Sequence, residues 1–424
     1  MIQRPRGTRD LLPPETRLWQ AVETVAREVF GAFGADEIRT PIFEATELFV
    51  RSVGETTDIV HKEMYTFPDR KGRSLTLRPE NTAGVARAWI ENGLSDRSLP
   101  LRLYYLGPMF RYERMQHGRY RQFSQIGLEL VGADTPLADA EVLAAMHEFF
   151  LRLGFADLVI HLNNLGDPED RVRYQDAIRA TLAPRRAELC SDCRRRLDEN
   201  PLRILDCKVP SCQVVAADVP AVDDVAGEAS RRHVAEVEAH LGRLGIPYVR
   251  NHRLVRGLDY YLRTVFEVIS PRLGVNTVLC GGGRYDRLIA DLGGPAIPGV
   301  GFAIGEDRLI KVLPASFREV VLSQPRLYLV PLGEAAQEKV LELARSWVRE
   351  GVPVEVEVAG RSLKAAIKRA DREGFRVVAM LGEDELRAGS VSVRDLTAGS
   401  QTSVPLAAFP EWWHELIGRP AARG

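Results

Sequence analysis

Two β-prone stretches on either side of a short basic loop place the strongest constraint on how this chain folds. Residues 101–113 read LRLYYLGPMFRYE, residues 121–132 read RQFSQIGLELVG, and the polar loop RMQHGRY joins them. Strands joined by a short loop pair antiparallel, so we predict a long hairpin with a basic tip. We therefore expect antiparallel pairing at the centre of the N-terminal part of the chain.

One face of this hairpin carries an unusual set of side chains, because alternate residues of a strand share a face. The first strand groups Arg111 with Glu113. The second groups Arg121, Phe123, Gln125, Gly127 and Glu129. A solvated sheet commonly has such a charged face. Phe123 and Gly127 favour a concave, partly covered floor instead, and arginines suit phosphate because their planar fork is bidentate and always charged.

The composition indicates a globular protein and no particular partner. The 424 residues are 45% hydrophobic and 27% charged, with 57 basic against 58 acidic side chains. This length exceeds what one hydrophobic core usually serves, so we expect two or three domains. No apolar run reaches membrane-spanning length, and the polar N-terminus lacks the apolar core of a signal peptide. Five clustered cysteines predict a reducing cytoplasm rather than a disulfide scaffold.

The residue pattern changes character twice along the chain. Residues 170–244 are charged and helical and hold four of the five cysteines, which indicates an inserted helical module. From residue 327 strands alternate with helices, which predicts a separate α/β domain with a mainly parallel sheet. We therefore predict one domain over 1–169 and 245–322, an insertion over 170–244, and a last domain over 327–424.

The segment LVRGLDYYLRTVFEV, residues 254–268, resembles a strand but contains groups that a buried strand does not tolerate. An unpaired buried charge is unfavourable, so Arg256 either lies at an exposed edge or faces an anion. The glycines of VLCGGGRYD and GFAIGEDRL indicate close backbone approach, by a ligand or at a bulge. Neither has the dinucleotide or Walker spacing.

Two further patterns each leave two interpretations open. Glu80 and Thr82 stand at a strand-to-helix junction, where an acidic residue commonly caps the helix and could instead bind an ammonium group. The cysteines Cys190, Cys193, Cys207 and Cys212 have spacings that fit a zinc knuckle. Reduced, partly buried thiols explain the same pattern.

Taken together and in this order, the segments resemble the histidyl-tRNA synthetases, a class II aminoacyl-tRNA synthetase family. The class II signatures are an N-terminal helix and strand ending near Pro41, then FRYER and RYRQF, then GVGFAIGEDRLIKVL. RGLDYY together with GGGRYD singles out the histidine enzyme. The resemblance implies an antiparallel-sheet catalytic core with a helical insertion, plus a C-terminal α/β anticodon-binding domain. It also implies a cytoplasmic homodimer that uses ATP and Mg²⁺ to activate L-histidine and transfer it to tRNA(His).

The resemblance implies a role for individual residues. Arg111 and Arg256 would stabilise the ATP α-phosphate from opposite sides, and we expect Arg256 to lack a protein partner and face this anionic ligand. ATP would be bound by Arg111, Glu113, Arg119, Phe123 and Arg308, with Phe123 stacked under adenine. Histidine would be bound by Glu80, Thr82, Gln125, Glu129, Tyr260 and Tyr261. Transfer RNA would contact Arg114, Gln116, Arg361, Lys364 and Lys368, the last three with Arg372 on one helix face that could equally be merely solvated.

Three residues depart from the family's pattern, and two other functions compete. Asn81 stands where glycine is usual, Met115 where proline is common, and Leu262 where a polar residue is common, which puts loop detail in doubt. The first alternative is a non-catalytic regulatory paralogue that partners ATP phosphoribosyltransferase, although such proteins usually lack RGLDYY and the C-terminal domain. The second is a synthetase-like sensor of uncharged tRNA, which the complete set of phosphate-binding arginines disfavours.

Overall fold

A computed structural model describes residues 2–54, 57–114, 118–270, 272 and 277–418. They form two compact units, divided after Leu322. No helix within these ranges is both long enough and apolar enough to cross a membrane.

The first unit contains mixed sheets and helices whose bounds are as follows. The strands are β1 (Asp36–Glu37), β2 (Phe43–Ala45), β3 (Tyr65–Pro68), β4 (Ser74–Leu77), β5 (Leu101–Phe110), β6 (Gln122–Val131), β7 (Val159–Asn164), β8 (Tyr248–Arg250), β9 (Leu262–Ser270), β10 (Thr277–Arg284) and β11 (Gly299–Gly305). The helices are α1 (Glu15–Ala32), α2 (Thr46–Val53), α3 (Thr82–Glu91), α4 (Pro136–Arg152), α5 (Pro168–Leu182), α6 (Ser191–Glu199), α7 (Pro210–Ala216), α8 (Val222–Val225), α9 (Glu228–Leu244), α10 (Leu288–Asp291), α11 (Glu306–Val312) and α12 (Ala315–Leu322).

The main sheet of this unit has the strand order β1-β5-β6-β11-β10-β9-β7-β8. Its inner pairings from β5 to β7 are antiparallel, whereas the edge strands β1 and β8 pair parallel with their neighbours. The predicted hairpin is confirmed, because β5 pairs with β6 from Leu101 opposite Val131 to Phe110 opposite Gln122. Strands β2, β4 and β3 form a small second sheet.

Helices α1 and α4 pack on one face of the main sheet. The ring of Phe30 in α1 lies 5.6 Å from that of Phe149 in α4 and 5.8 Å from that of Phe302 in β11. Buried apolar residues of α1 recur at helical spacing, as the sequence predicts. Because these helices bury one face, polar groups on the alternate residues of the central strands point to the opposite face.

Residues 251–261 do not form the strand that the sequence predicts. They run through turns between β8 and β9, and the strand begins only at Leu262. The predicted helices of the insertion are present as α5 to α9, and buried side chains such as Tyr174 and Ile178 share a hydrophobic cluster with Leu254 and Tyr260. The helical module therefore supports the turn-rich segment from the side.

The second unit is an α/β fold built on one sheet. Its strands are β12 (Leu327–Pro331), β13 (Val354–Val356), β14 (Val377–Leu381), β15 (Ser390–Asp395) and β16 (Ser400–Pro405), and its helices are α13 (Glu334–Arg349), α14 (Leu363–Arg372), α15 (Glu383–Ala388) and α16 (Phe409–Leu416). Strands β13, β12 and β14 are parallel, but β15 and β16 add antiparallel pairs. The prediction of a mainly parallel sheet missed β16, because that edge strand is almost wholly exposed and polar.

Candidate active site

A cleft opens where the ends of the β5–β6 hairpin meet the start of α3 and the central strands β10 and β11. Most residues that sequence analysis assigned to ATP and histidine line it. They are Glu80, Thr82, Arg111, Glu113, Arg119, Phe123, Gln125, Arg256, Tyr260, Tyr261 and Arg308. The fold thus brings distant segments, each with few functional groups of its own, to one place.

Alternate residues of strand β6 contribute side chains to the cleft. Phe123 and Gln125 line the cleft, whereas Ile126 and Leu128 belong to the core beneath α1 and α4. Arg121 departs from the prediction, because the strand begins one residue later and the Arg121 guanidinium lies 3.7 Å from the centre of the Tyr112 ring.

Arg111 lies just beyond the strand in which it was predicted, and a hydrogen bond to a backbone carbonyl positions its side chain. Strand β5 ends at Phe110, and Arg111 Nε donates to the carbonyl oxygen of Pro79 at 2.8 Å. Its guanidinium also lies 5.4 Å from the centre of the Phe123 ring. These contacts fix the guanidinium plane over the ring, so its other nitrogens can donate into the cleft.

Arg256 forms an ion pair with Glu267 of β9, so the prediction that it lacks a protein partner is wrong. Burial has the largest single effect and opposes the charge, but the Glu267 carboxylate together with Tyr261 and Cys280 raises the pKa of Arg256 overall. Its Nε is buried and has no hydrogen-bond partner among the described residues. Arg256 therefore remains a cation on the cleft wall that still has a donor to satisfy.

Gly281 makes this position of Arg256 sterically accessible. A Cβ atom at Gly281 would overlap the Arg256 guanidinium. The close approach predicted for the three consecutive glycines is therefore made, at this position, by a side chain of the protein itself.

Glu129 does not line the cleft itself; it is fully buried behind the lining residue Thr82, between two hydroxyl donors. Thr82 Oγ1 donates to Glu129 Oε1 at 2.7 Å, and the hydroxyl of Tyr285 donates to Oε2 at 2.7 Å. Burial raises the pKa of Glu129 to about 8, so the carboxyl group is mostly protonated at neutral pH. Glycine is required at 301, because a Cβ there would overlap Glu129 Oε2.

Glu80 takes the capping role that sequence analysis considered the commoner one. Its carboxylate accepts backbone hydrogen bonds from Thr82 at 2.7 Å and Ala83 at 3.0 Å, at the start of α3. Burial raises the pKa of Glu80 despite these bonds. Across the cleft, Gln125 Oε1 is buried with no hydrogen-bond partner among the described residues, which leaves an acceptor for an N–H donor.

The outer part of the cleft is basic. Arg119 Nη1 lies 3.0 Å from Glu113 Oε2, and Arg308 Nη1 donates to the carbonyl oxygen of Val278 at 2.9 Å. Burial, followed by the charges of Arg119 and Arg111, lowers the pKa of Arg308. The positive charges of Arg111, Arg119 and Arg308 repel one another, so a polyanion that binds between them is favoured.

Two of the three departures fit the local backbone, although Asn81 Nδ2 is buried without a hydrogen-bond partner among the described residues. Asn81 has a φ of −122°, which does not need glycine, and its Oδ1 accepts hydrogen bonds from Thr40 and Arg78. Leu262 is buried and opens β9. Met115 lies outside the described residues, as does the tRNA candidate Gln116.

The remaining tRNA candidates do not line the cleft. Arg114 is exposed beyond its rim. In the second unit Arg361 precedes α14, which begins at Leu363, and pairs with Glu357, so it does not belong to the predicted helix face. Lys364 and Lys368 are exposed one turn apart on α14.

Sequence analysis missed two groups that position the site, Glu267 and Tyr285. Tyr285 stands within the quoted motif GGGRYD, so the motif itself carried the signal. Glu267 lies in β9, eleven residues beyond Arg256, and the turns of residues 251–261 bring the Arg256 side chain beside it.

The four cysteines of the insertion meet outside the cleft. Their Sγ atoms all lie within 4.8 Å of one another. Among the described residues this is the group of side chains whose geometry fits a resident metal ion.

Family models match almost the whole chain. One described as histidyl-tRNA synthetase matches residues 7–309, and one described as an anticodon-binding domain matches residues 326–416. Each model falls within one of the two compact units.

Individual relatives agree with these models over nearly their full lengths. The histidine–tRNA ligase of Desulforudis audaxviator is 50% identical over 412 residues, covering 97% of this chain and 98% of the relative. That of Desulfitobacterium hafniense is 47% identical over 411 residues, covering 97% of each. The crystal structure of apo histidyl-tRNA synthetase from S. aureus has a TM-score of 0.79 and 36% identity, covering 97% of this chain and 99% of that one.

Proposed function

Because the chain belongs to the histidyl-tRNA synthetase family, we propose that its cleft joins histidine to ATP as histidyl-adenylate before transfer to tRNA. The protein is a ligase that couples histidine to tRNA, with a mixed antiparallel-sheet core and an α/β anticodon-binding domain. What we propose is how its own residues divide this work.

The observation that carries the proposal is the placement of two arginines on one cleft. Arg111 is anchored by the 2.8 Å hydrogen bond from its Nε to the Pro79 carbonyl oxygen, and Arg256 by its ion pair with Glu267. Both arginines line the cleft. The histidine carboxylate oxygen attacks the α-phosphorus of ATP and forms a bond to it. The bond from the α-phosphorus to the oxygen that bridges it to the β-phosphorus breaks, and pyrophosphate leaves. Negative charge grows on the phosphoryl oxygens, and fixed guanidinium groups stabilise it without reorganising. A carboxylate is already nucleophilic, so this step needs no general base.

ATP is assigned to the basic, outer part of the cleft. Phe123 stacks beneath adenine, while Glu113 accepts a hydrogen bond from the adenine amino group. Arg119 and Arg308 bind the outer phosphates, because the polyanion relieves the repulsion between these like charges.

Histidine is assigned to the buried inner part. Gln125 Oε1 supplies an unsatisfied acceptor for the α-ammonium group, with Glu80 and Thr82 beside it. Glu129, Tyr260 and Tyr261 bind the imidazole ring. A pocket of buried polar groups rejects amino acids that lack ring nitrogens, because those groups would be left unpaired.

Mg²⁺ is best assigned to the nucleotide rather than to the protein. The cleft carboxylates are already engaged: Glu80 by backbone amides, Glu113 by Arg119 and Asp307 by Arg9. The ion would enter with the ATP phosphates and neutralise part of their charge, keeping waters as its other ligands.

Transfer RNA is assigned to Arg114 and Gln116 at the acceptor end and to Arg361, Lys364 and Lys368 in the second unit. The match of residues 326–416 to an anticodon-binding domain supports the second group. From the residue pattern we propose a division into 1–169 with 245–322, 170–244 and 327–424. From the family we propose a homodimer and a cytoplasmic location.

Pyrophosphate exchange into ATP tests the proposed reaction. Exchange that depends on L-histidine supports it, and the absence of exchange would exclude catalysis of adenylate formation. The regulatory paralogue and the tRNA sensor would each bind ligand without this exchange, so the same assay separates the synthetase from both alternatives.

A further inference from the structure

Four cysteines between residues 190 and 212 form one compact cluster in the insertion. Cys190 caps the start of α6 and Cys193 lies in its first turn, Cys207 follows the turn after α6, and Cys212 lies in α7. All four Sγ atoms lie within 4.8 Å of one another, and all but Cys190 are buried. We infer that these thiolates bind one structural Zn²⁺ ion.

The distances fit a metal better than disulfide bonds. Cys190 Sγ and Cys207 Sγ are 4.0 Å apart, about twice the ~2.05 Å of a disulfide bond. Zn–S bonds of ~2.3 Å in a tetrahedron place sulfur atoms roughly 3.8 Å apart. The observed separations approach that value, so the ligands need only small shifts to close around an ion.

Backbone amides also point at the sulfur atoms. The amide of Cys190 donates to Cys212 Sγ at 3.2 Å, and that of Cys193 donates to Cys190 Sγ at 3.4 Å. Such donors stabilise negative charge on thiolates and orient them as metal ligands. Four soft ligands in a tetrahedron favour Zn²⁺, and sulfur atoms this close leave little room for an iron–sulfur cluster.

The chain between Cys193 and Cys207 connects the cluster to the cleft. Arg203 Nη1 donates to the carbonyl oxygen of Arg256 at 2.9 Å. Asn200 Nδ2 donates to Asp259 Oδ1 at 3.3 Å. A metal that closes this loop would therefore hold the turn-rich segment that carries Arg256. This positioning role rests on the proposed function, whereas the metal site does not.

Metal analysis of the wild-type chain tests the site directly. Protein expressed with zinc and passed through a chelating column should retain about one Zn²⁺ per chain, released when a mercurial reagent titrates the thiols. Cobalt substitution should give the absorption of tetrahedral Co²⁺–thiolate. Cys280→Ala should retain the metal, because Cys280 contacts Met146 instead. Substoichiometric metal with freely titrating native thiols, or iron in place of zinc, would overturn the assignment.

Variants test the positioning role separately. Cys212→Ser should lose zinc and raise the KM for histidine in pyrophosphate exchange. Arg203→Ala should keep zinc yet raise that KM about tenfold, with a smaller change in kcat, because a charged hydrogen bond to the Arg256 carbonyl is lost. The control Arg195→Ala changes an exposed arginine of the preceding helix α6, which pairs with its acidic neighbours Asp192 and Glu199. An unchanged histidine KM in Arg203→Ala would refute the positioning role and leave the metal site standing.

Discussion

Arg256 on the cleft wall forms an ion pair with Glu267 of β9, and Gly281 leaves the room that the guanidinium occupies. This ion pair explains how the charged residue Arg256 is tolerated in the otherwise apolar stretch of residues 254–268. Arg256 belongs to a turn-rich segment, its charge is compensated by a carboxylate, and its Nε remains available as a donor. A cation held this way is fixed in direction before phosphate charge develops, which is the condition for electrostatic catalysis.

Arg256→Ala should slow histidine-dependent pyrophosphate exchange by about 10²–10³-fold, the usual effect of removing one fixed charge-stabilising donor. Affinity for tRNA, measured by filter binding, should stay within about twofold because the change touches only the adenylate site. The control Arg253→Ala removes an exposed arginine three residues away.

A double variant separates catalysis from stability at this pair. Arg256→Ala alone leaves the Glu267 carboxylate without its cation, which destabilises the fold. Arg256→Ala with Glu267→Gln should recover the thermal midpoint but not the exchange rate. Recovery of the rate together with stability would show that Arg256 acts only through folding.

Phe123→Leu should raise the KM for ATP by roughly 5- to 150-fold, the range expected when a base loses its stacking partner. The KM for histidine should change little, because Phe123 stands beside Arg111 rather than beside Glu129. Phe67→Leu offers a control at an exposed phenylalanine. Equal increases in both KM values would place Phe123 away from adenine.

Glu129 should make the stability of the first unit depend on pH. Its pKa is about 8 in the fold against 4.5 for an ordinary glutamate. Between these values the folded chain keeps a proton that the unfolded chain has lost. The group's contribution to stability is therefore fully present below pH 4.5 and is lost as pH rises towards 8, at about 1.4 kcal/mol per pH unit.

Denaturant unfolding of wild type and Glu129→Gln at pH 5.5 and pH 8 measures this effect. The amide cannot ionise, so the wild type should lose stability relative to the variant as pH rises. Taking the difference removes the parallel contributions of Glu80 and Glu306, whose pKa values are also raised by burial. A difference that does not change with pH would mean that Glu129 is ionised in the fold.

Much of the site could be predicted because strand periodicity is local. The two-residue period of β6 placed Phe123 and Gln125 on one side without any knowledge of tertiary structure. Capping chemistry likewise predicted what Glu80 does at the start of α3.

Other features depend on contacts distant in sequence and could not be predicted. Residues 251–261 run through turns, and this path decides which residue pairs with Arg256. Their apolar composition predicted a strand instead. Tyr285 reaches Glu129 only because β10 and β6 both flank β11. In the second unit, Arg361 is not on the predicted helix face, because Ser362 caps the helix and Arg361 therefore precedes it.

Lys364 and Lys368 should contribute to tRNA binding through charge alone. Both are exposed on α14, whereas the neighbouring Arg369 is engaged with Tyr328 and Glu355. Lys364→Glu with Lys368→Glu should raise the KM for tRNA in aminoacylation and lower the slope of log affinity against log salt by roughly 1.5, since each lost phosphate contact removes about 0.7–0.9. Pyrophosphate exchange without tRNA should be unchanged. The matched control, Lys339→Glu with Arg387→Glu, reverses two exposed charges of the same unit that pair with acidic neighbours. Equal losses in both double variants would mean that the effect comes from net charge and that α14 is merely solvated.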